Sequence, residues 1–218
     1  MRHLTPLEAR VLGVLIEKQA TVPDTYPLSL NSLVAGCNQK TARDPVIEAT
    51  DAEVQTALDG LKALTLVFET SGSRVVKYEH NAPRGLLLPG AALALLATLM
   101  LRGPQTSAEL RTASERLHRF ADISSVEAFL DEMAAKEPPR VVKLARAPGE
   151  REARWVHLMC GEPAPARTAP AAEAVAPAAA SVSAGEIAAL KAETTHLAAR
   201  VDELEALVQR MARELGLT

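Results

Sequence analysis

Aromatic residues make up only 3% of this 218-residue chain. Proteins that hold single-stranded nucleic acid stack bases on aromatic rings, so the scarcity disfavours that class and leaves the cores to Leu, Val, Ala and Ile. Positive charge is also short: 24 Lys and Arg stand against 27 Asp and Glu, a net charge of −3. Residues 1–82 hold 8 basic and 10 acidic side chains, residues 83–162 hold 11 and 10, and residues 163–218 hold 5 and 7. No segment therefore has the cationic excess from which a DNA-binding domain draws most of its affinity, although a local basic stripe would still reach phosphates.

Long apolar runs are missing as well. The longest, LLLPGAALALLATLML (86–101), has 16 residues and is interrupted by Pro89 and Gly90. A membrane helix needs about 20, so a buried helix without membrane contact is expected. The start, MRHLTPLEAR, lacks the apolar core of a signal peptide. Cys37 and Cys160 show no disulfide framework, and reduced thiols in the cytoplasm are the expectation.

Catalytic signatures are absent too: no Gly-rich phosphate loop, no Gly-x-Ser-x-Gly and no paired motif with metal spacing. His157 and Cys160 lie close in sequence, but a zinc site needs three or four ligands, so a structural pair is expected. The remaining histidines, His3, His80, His118 and His196, are scattered. A non-enzymatic protein without cofactor or metal follows.

What is present is a unit that occurs twice. Thr5-Pro6-Leu7-Glu8 reads as a helix start, with Thr5 as N-cap and Glu8 completing a capping box. Leu7, Val11, Leu12, Leu15 and Ile16 continue at helical spacing. Pro23 and Pro27 break the chain, and Leu30, Leu33 and Val34 mark a short second helix ending near Gly36 to Asn38. Thr50 or Asp51 starts a third, with Val54, Leu58, Leu61 and Leu64 on its apolar stripe. The stretch 66–80 reads as a hairpin around Ser71-Gly72-Ser73. The order returns: a helix from Pro89 to Leu101, a second capped by Ser107, a third opened by Ser124 with Glu127, and a hairpin of 141–146 and 153–159. This predicts a mainly α chain with small β-hairpins, an α+β fold of two winged helix-turn-helix domains at 1–82 and 83–162.

The segments LTPLEARVLGVLIEKQ and YPLSLNSLVAGCNQKTARDPV, followed by the third helix, resemble the YceH-like family of bacterial proteins. The resemblance covers residues 3 to about 160. It implies a tandem winged-helix fold and carries over no activity, catalytic residue or ligand.

Residues 163–185 contain 11 Ala and 4 Pro in 23 positions and read as a linker. Beyond it, Ile187, Leu190, Thr194, Leu197, Val201, Leu204, Val208, Met211 and Leu215 alternate in steps of three and four. Mostly β-branched residues at a and Leu or Met at d favour a parallel two-stranded coiled coil over 186–218, with Glu186 facing the partner's Lys191 and Arg200 the partner's Glu205. A homodimer is expected; the alternative is that this apolar face folds back on the preceding domains.

Winged helices dock the third helix in the major groove. Here those helices are acidic. Residues 51–64 carry Asp51, Glu53 and Asp59 against Lys62, and residues 124–136 carry Glu127, Asp131 and Glu132 against Lys136. Neither has an Arg, Asn or Gln cluster to read bases. Cations lie elsewhere: Lys40 and Arg43 beside Gln39 in the loop before the third helix, Arg74 and Lys77 in the first hairpin, Arg111 on the second domain's second helix, and Lys143, Arg146, Arg151 and Arg154 in its hairpin. These are the candidate contacts to double-stranded DNA or to a protein; solvated charges paired with nearby acids are the alternative, with Asp44 and Glu48 as partners of Lys40 and Arg43. Fold analogy puts first a DNA-associated regulator dimerised through its C-terminal helix; the alternative is a protein–protein interaction adaptor that makes no DNA contact.

Overall fold

The computed structural model of the chain describes residues 2–70, 75–146 and 149–163. The seam residues Ile187 to Leu215, the linker beyond Pro163, and Arg74 lie outside the described residues. What is described falls within one compact unit, Met1–Ala166, of mixed α+β architecture with seven helices and two small antiparallel sheets among the described residues.

The first set runs α1 (Pro6–Thr21), β1 (Leu28–Ser29), α2 (Leu30–Cys37), α3 (Asp51–Ala63), β2 (Val67–Thr70) and β3 (Lys77–His80). Capping boxes open α1 at Thr5 with Glu8, and α3 at Thr50 with Glu53, so both starts are local consequences of the sequence. The sheet order is β1-β3-β2, with Leu28 opposite Tyr78, Glu69 opposite Tyr78 and Val67 opposite His80. A short helix, α4 (Ala82–Leu86), leads to the second set: α5 (Gly90–Arg102), α6 (Ser107–Ala113), α7 (Ile123–Ala134), β4 (Val141–Lys143) and β5 (Trp155–His157). Lys143 stands opposite Trp155, and Val141 opposite His157.

The helix–helix–helix–hairpin order thus occurs twice, and the repetition goes further than the helices. In the first set β1 lies between α1 and α2 and pairs with the hairpin's return strand. In the second, Gln105 lies between α5 and α6 and forms an isolated bridge with Trp155 of the return strand, Gln105 N–H to Trp155 O at 3.1 Å and Trp155 N–H to Gln105 O at 2.7 Å.

Two helix starts differ from expectation. Thr106, not Ser107, caps α6, because Thr106 and Glu109 satisfy the box spacing; Ser107 is buried and its hydroxyl donates to Glu127 at 3.1 Å. Asp122, not Ser124, caps α7, its carboxylate accepting from Ser125 N–H at 2.7 Å. The strands β1 and the helix α4 are additions to the expected elements. The boundary expected at 82/83 falls inside α4.

α1 and α5 sit at the centre. Residues 8–16 of α1 and 92–101 of α5 are buried on all sides, the pattern of a helix wrapped by neighbours. They pack against each other, so the cores of both sets form one cluster. Leu4 N–H donates to Met159 O at 2.7 Å, and Asp44 N–H to Leu101 O at 2.8 Å, tying early segments to late ones. Close approach also needs Gly36: a Cβ there would lie 2.7 Å from Val14 Cγ1. No helix among the described residues is long and apolar enough to cross a membrane.

Candidate functional site

The loop between α2 and α3 looked in the sequence like an exposed polar contact surface. Its cations divide. Arg43 is only 6% exposed. Its Nε donates to Gly36 O at 3.1 Å, and Nη1 and Nη2 donate to Glu17 Oε1 and Oε2 at 3.1 and 2.6 Å. The expected pairing with Asp44 or Glu48 is therefore replaced by a bidentate bond to α1, 26 residues away. Burial alone would raise the Glu17 pKa, but the Arg43 bonds and charge outweigh it and hold the carboxyl below its ordinary range. Such a paired, buried guanidinium has no donor left over for a phosphate. Gln39 is also turned to internal bonds, donating to Thr41 O at 3.1 Å and accepting from Lys18 Nζ at 3.4 Å. Lys40 stays exposed and has no ion pair among the described residues.

Arg10, which the sequence reading passed over, completes the staple. It lies in the buried part of α1, 4% exposed, and donates to Cys37 O at 3.1 Å and Pro45 O at 2.7 Å. Asn38 closes the loop's base: its Nδ2 donates to Ala49 O, and its Oδ1 accepts from Ala49 N–H, both at 2.8 Å. A basic residue inside an otherwise apolar helical run was the available signal. The loop is held to the core by these two arginines and one asparagine.

The third helices keep their acid outward. Asp51, Glu53 and Asp59 of α3 are exposed. Lys62, the one cation of α3, is paired to Asp59 at 2.8 Å and to Glu69. Gln55 accepts from Tyr78 Oη at 3.0 Å and donates to Asp59 at 3.2 Å, so its amide is already engaged. On α7, Asp131 and Glu132 are exposed and Glu127 is half-buried.

The second hairpin gathers the cations that remain. Lys143, Arg146 and Arg151 line one depression of about 550 Å³ together with Ser107, Glu127 and Glu152. Arg146 and Arg151 are exposed and have no ion pair among the described residues. Lys143 Nζ lies 5.3 Å from the Trp155 ring centroid, a cation–π distance. Arg154 is not part of this group: it bonds Glu109 at 3.0 Å, Glu150 at 3.3 Å and Pro104 O at 3.2 Å. Arg111 donates to Ala121 O at 3.1 Å. Lys77 is half-buried in the central strand β3, opposite Ser29 and Thr70. Of the nine candidates among the described residues, three share this depression, while Arg43 and Arg154 border another, each already bonded to a carboxylate.

The first hairpin shows the opposite character. Phe68 of β2, opposite Glu79, is 41% exposed and Val76, just before β3, is 49% exposed. No group of three or more His, Cys, Asp or Glu that could hold a metal occurs among the described residues. Both cysteines are free thiols.

Comparison with known proteins agrees with the resemblance seen in the sequence. A family described as "Protein of unknown function, DUF480" matches residues 4–150. A UPF0502 protein of Leptothrix cholodnii is 76% identical over 161 residues, 74% of this chain and 72% of that protein. A UPF0502 protein of Burkholderia multivorans is 64% identical over 217 residues, 100% of this chain and 91% of that protein. One of Paraburkholderia xenovorans is 63% identical over 218 residues, covering 100% and 90%.

Proposed function

The chain belongs to the DUF480 family, whose relatives carry the UPF0502 name, and from that premise we propose that it is a non-enzymatic, cytoplasmic interaction adaptor built on two winged-helix modules. The layout supports the winged-helix reading: each half has three helices, a hairpin, and a segment between its first two helices that pairs with the hairpin's return strand. The observation that carries the adaptor reading is the acid on the exposed faces of α3 and α7. Asp51, Glu53 and Asp59 repel phosphates from the helix that would enter a groove, and the one amide there is already hydrogen-bonded. The same acid suits a partner with a basic face, and exposed Phe68 and Val76 add apolar contact at the first hairpin. The free cysteines fit a reducing compartment. Self-association through the heptads of 186–218 would present the modules in pairs.

A DNA-associated regulator is the second reading, favoured by Lys143, Arg146 and Arg151 around one depression. Contact there would be to phosphates alone, hence weak and salt-dependent. Co-purification from the native cell, with and without nuclease, separates the two. The adaptor reading expects a protein partner that survives nuclease. Duplex binding tighter than about millimolar at about 50 mM salt, falling steeply by about 200 mM, would establish the regulator instead.

A further inference from the structure

The acid that carries the adaptor reading does not stop at the face of α3. It continues into the lining of a cleft of about 510 Å³ between α1, the α2–α3 loop, the end of α5 and β5. Glu53 of α3 lines this cleft together with Asp44 and Glu48 of the preceding loop, and all three are exposed. Much of the remaining lining is apolar, with Leu7 from α1, Leu99 from α5 and Val156 from β5. The volume falls within the range of about 300–1,000 Å³ in which pockets enclose compact groups. It admits a few side chains and not the face of a folded domain.

Positive charge on this wall is already answered. Arg10 donates to Cys37 O and Pro45 O at 3.1 and 2.7 Å, and Asp44 acts on it as a counter-charge. Burial lowers the His157 pKa to about 4, so that imidazole is neutral at neutral pH. With Asp44 set against Arg10, two carboxylates are left over. Glu48 makes no ion pair among the described residues, and Glu53 accepts only from Thr50 at the head of its own helix. An anion is repelled by such a lining, and a purely apolar ligand leaves its acid unused. What complements both parts is an apolar anchor flanked by positive charge. Exposed carboxylates add little to the binding of a single cation, but they steer and orient a segment that carries several.

We propose that the adaptor takes hold of its partner here: the cleft encloses bulky apolar side chains of a partner segment, and Lys or Arg residues flanking those anchors face Glu48 and Glu53. The choice of a protein as occupant rests on the adaptor reading. The preference for apolar anchors beside positive charge rests on the lining alone. Nucleic acid and anionic lipid meet repulsion from the same carboxylates.

Cys160 reports occupancy, because it is an exposed free thiol on the cleft, whereas Cys37 is buried. Full-length protein is treated with N-ethylmaleimide at mildly alkaline pH, since burial and then the charge of Glu8 raise the Cys160 pKa. Alkylation is read by peptide mass. The probe is the synthetic peptide Lys-Leu-Leu-Lys-Leu-Leu-Lys, capped at both ends, at about 1 mM, the affinity range of a short unstructured segment. It is expected to slow Cys160 alkylation severalfold, while versions with Glu for Lys or Ser for Leu leave the rate unchanged. Combining Glu48→Lys with Glu53→Gln should abolish the protection, measured against the variant's own peptide-free rate. Glu48 is exposed, and Gln at the third helical position keeps the capping box of α3, so the variant should melt like wild type. If it does not fold, Val156→Lys, which sets a like charge on the half-buried wall, should abolish the protection instead. Equal protection by the Lys and Glu peptides or by the Leu and Ser peptides, undiminished protection in these variants, or no protection at all would overturn the proposal. No protection while a nuclease-resistant protein partner still co-purifies strikes the cleft alone; protection without any such partner upholds the cleft and strikes the adaptor reading.

Discussion

His80 and His157 occupy the same register position in the two halves, each opposite the first residue of the outgoing strand, Val67 or Val141. Burial lowers the pKa of both to about 4. Yet His80 is hydrogen-bonded on both ring nitrogens and closes its sheet onto α1 through Gln19, whereas His157 keeps Nδ1 buried without a hydrogen-bond partner among the described residues. The same division runs through the basic residues. In the first half, Arg10 and Arg43 are drawn inside to fasten a loop, while in the second half Arg146 and Arg151 remain in solvent. One backbone plan thus serves two outcomes at these positions: His80, Arg10 and Arg43 are spent on the first half's own structure, whereas His157 Nδ1 stays buried without a partner among the described residues and Arg146 and Arg151 stay in solvent. Register specifies where a side chain stands, but only its neighbours determine whether it is used.

The largest test of this contrast is Arg43→Leu, which takes from half-enclosed Glu17 its bidentate partner and leaves it only Lys18, 3.3 Å away. Breaking a buried pair from one side costs about 3–5 kcal/mol, so urea unfolding should show a loss of that size. Lys40→Leu in the same loop should change stability by less than about 0.5 kcal/mol. Equal effects would mean that the loop is not stapled by its inward arginine.

Next comes pH. Both histidines titrate at about 4 when folded, below their ordinary 6.5. The unfolded chain therefore binds more protons between those values, and stability rises with pH across that window. Their contribution is complete above pH 6.5 and is lost as pH falls towards 4, by up to about 3 kcal/mol for each histidine. Thermal melts of wild type and His157→Gln over this range should show a shallower decline in the variant.

The smallest expected effect is that of Arg146→Glu with Arg151→Glu. These exposed side chains make no ion pair among the described residues, so the melting midpoint should hardly move, the stability change staying within about 0.5 kcal/mol. On the adaptor reading duplex affinity also stays unchanged. A fall in affinity together with a flatter salt dependence would move the contact surface to the second hairpin and favour the regulator.

The helices were legible because their determinants are local. The Thr5–Glu8 box sits where the sequence pattern put it, α3 begins at Asp51 behind Thr50, one of its two expected starts, and the run through Leu101 is a buried helix. The misplaced caps show the limit of that legibility: Thr106 and Asp122 each compete with a serine nearby, and the backbone geometry selects the winner. The two-residue strand β1 has too few positions for an alternating pattern, and α4, with Pro83 and Gly85, lacks helical composition. The cation set was legible as a list and not as a surface. Arg43 and Arg154 were grouped with the exposed charges because sequence shows charge, not the carboxylate waiting 26 or 45 residues away.

The sequence by itself determined the order of helices and hairpins, their repetition and the acidity of α3 and α7, because capping, periodicity and local charge act over a few residues. Only the tertiary structure decided that α1 and α5 share one core, that Arg10 and Arg43 turn inward, and that His157 and Cys160 border a cleft with Arg10. Those outcomes depend on which distant groups meet after folding, and burying a charge is tolerable only where such a meeting supplies its partner.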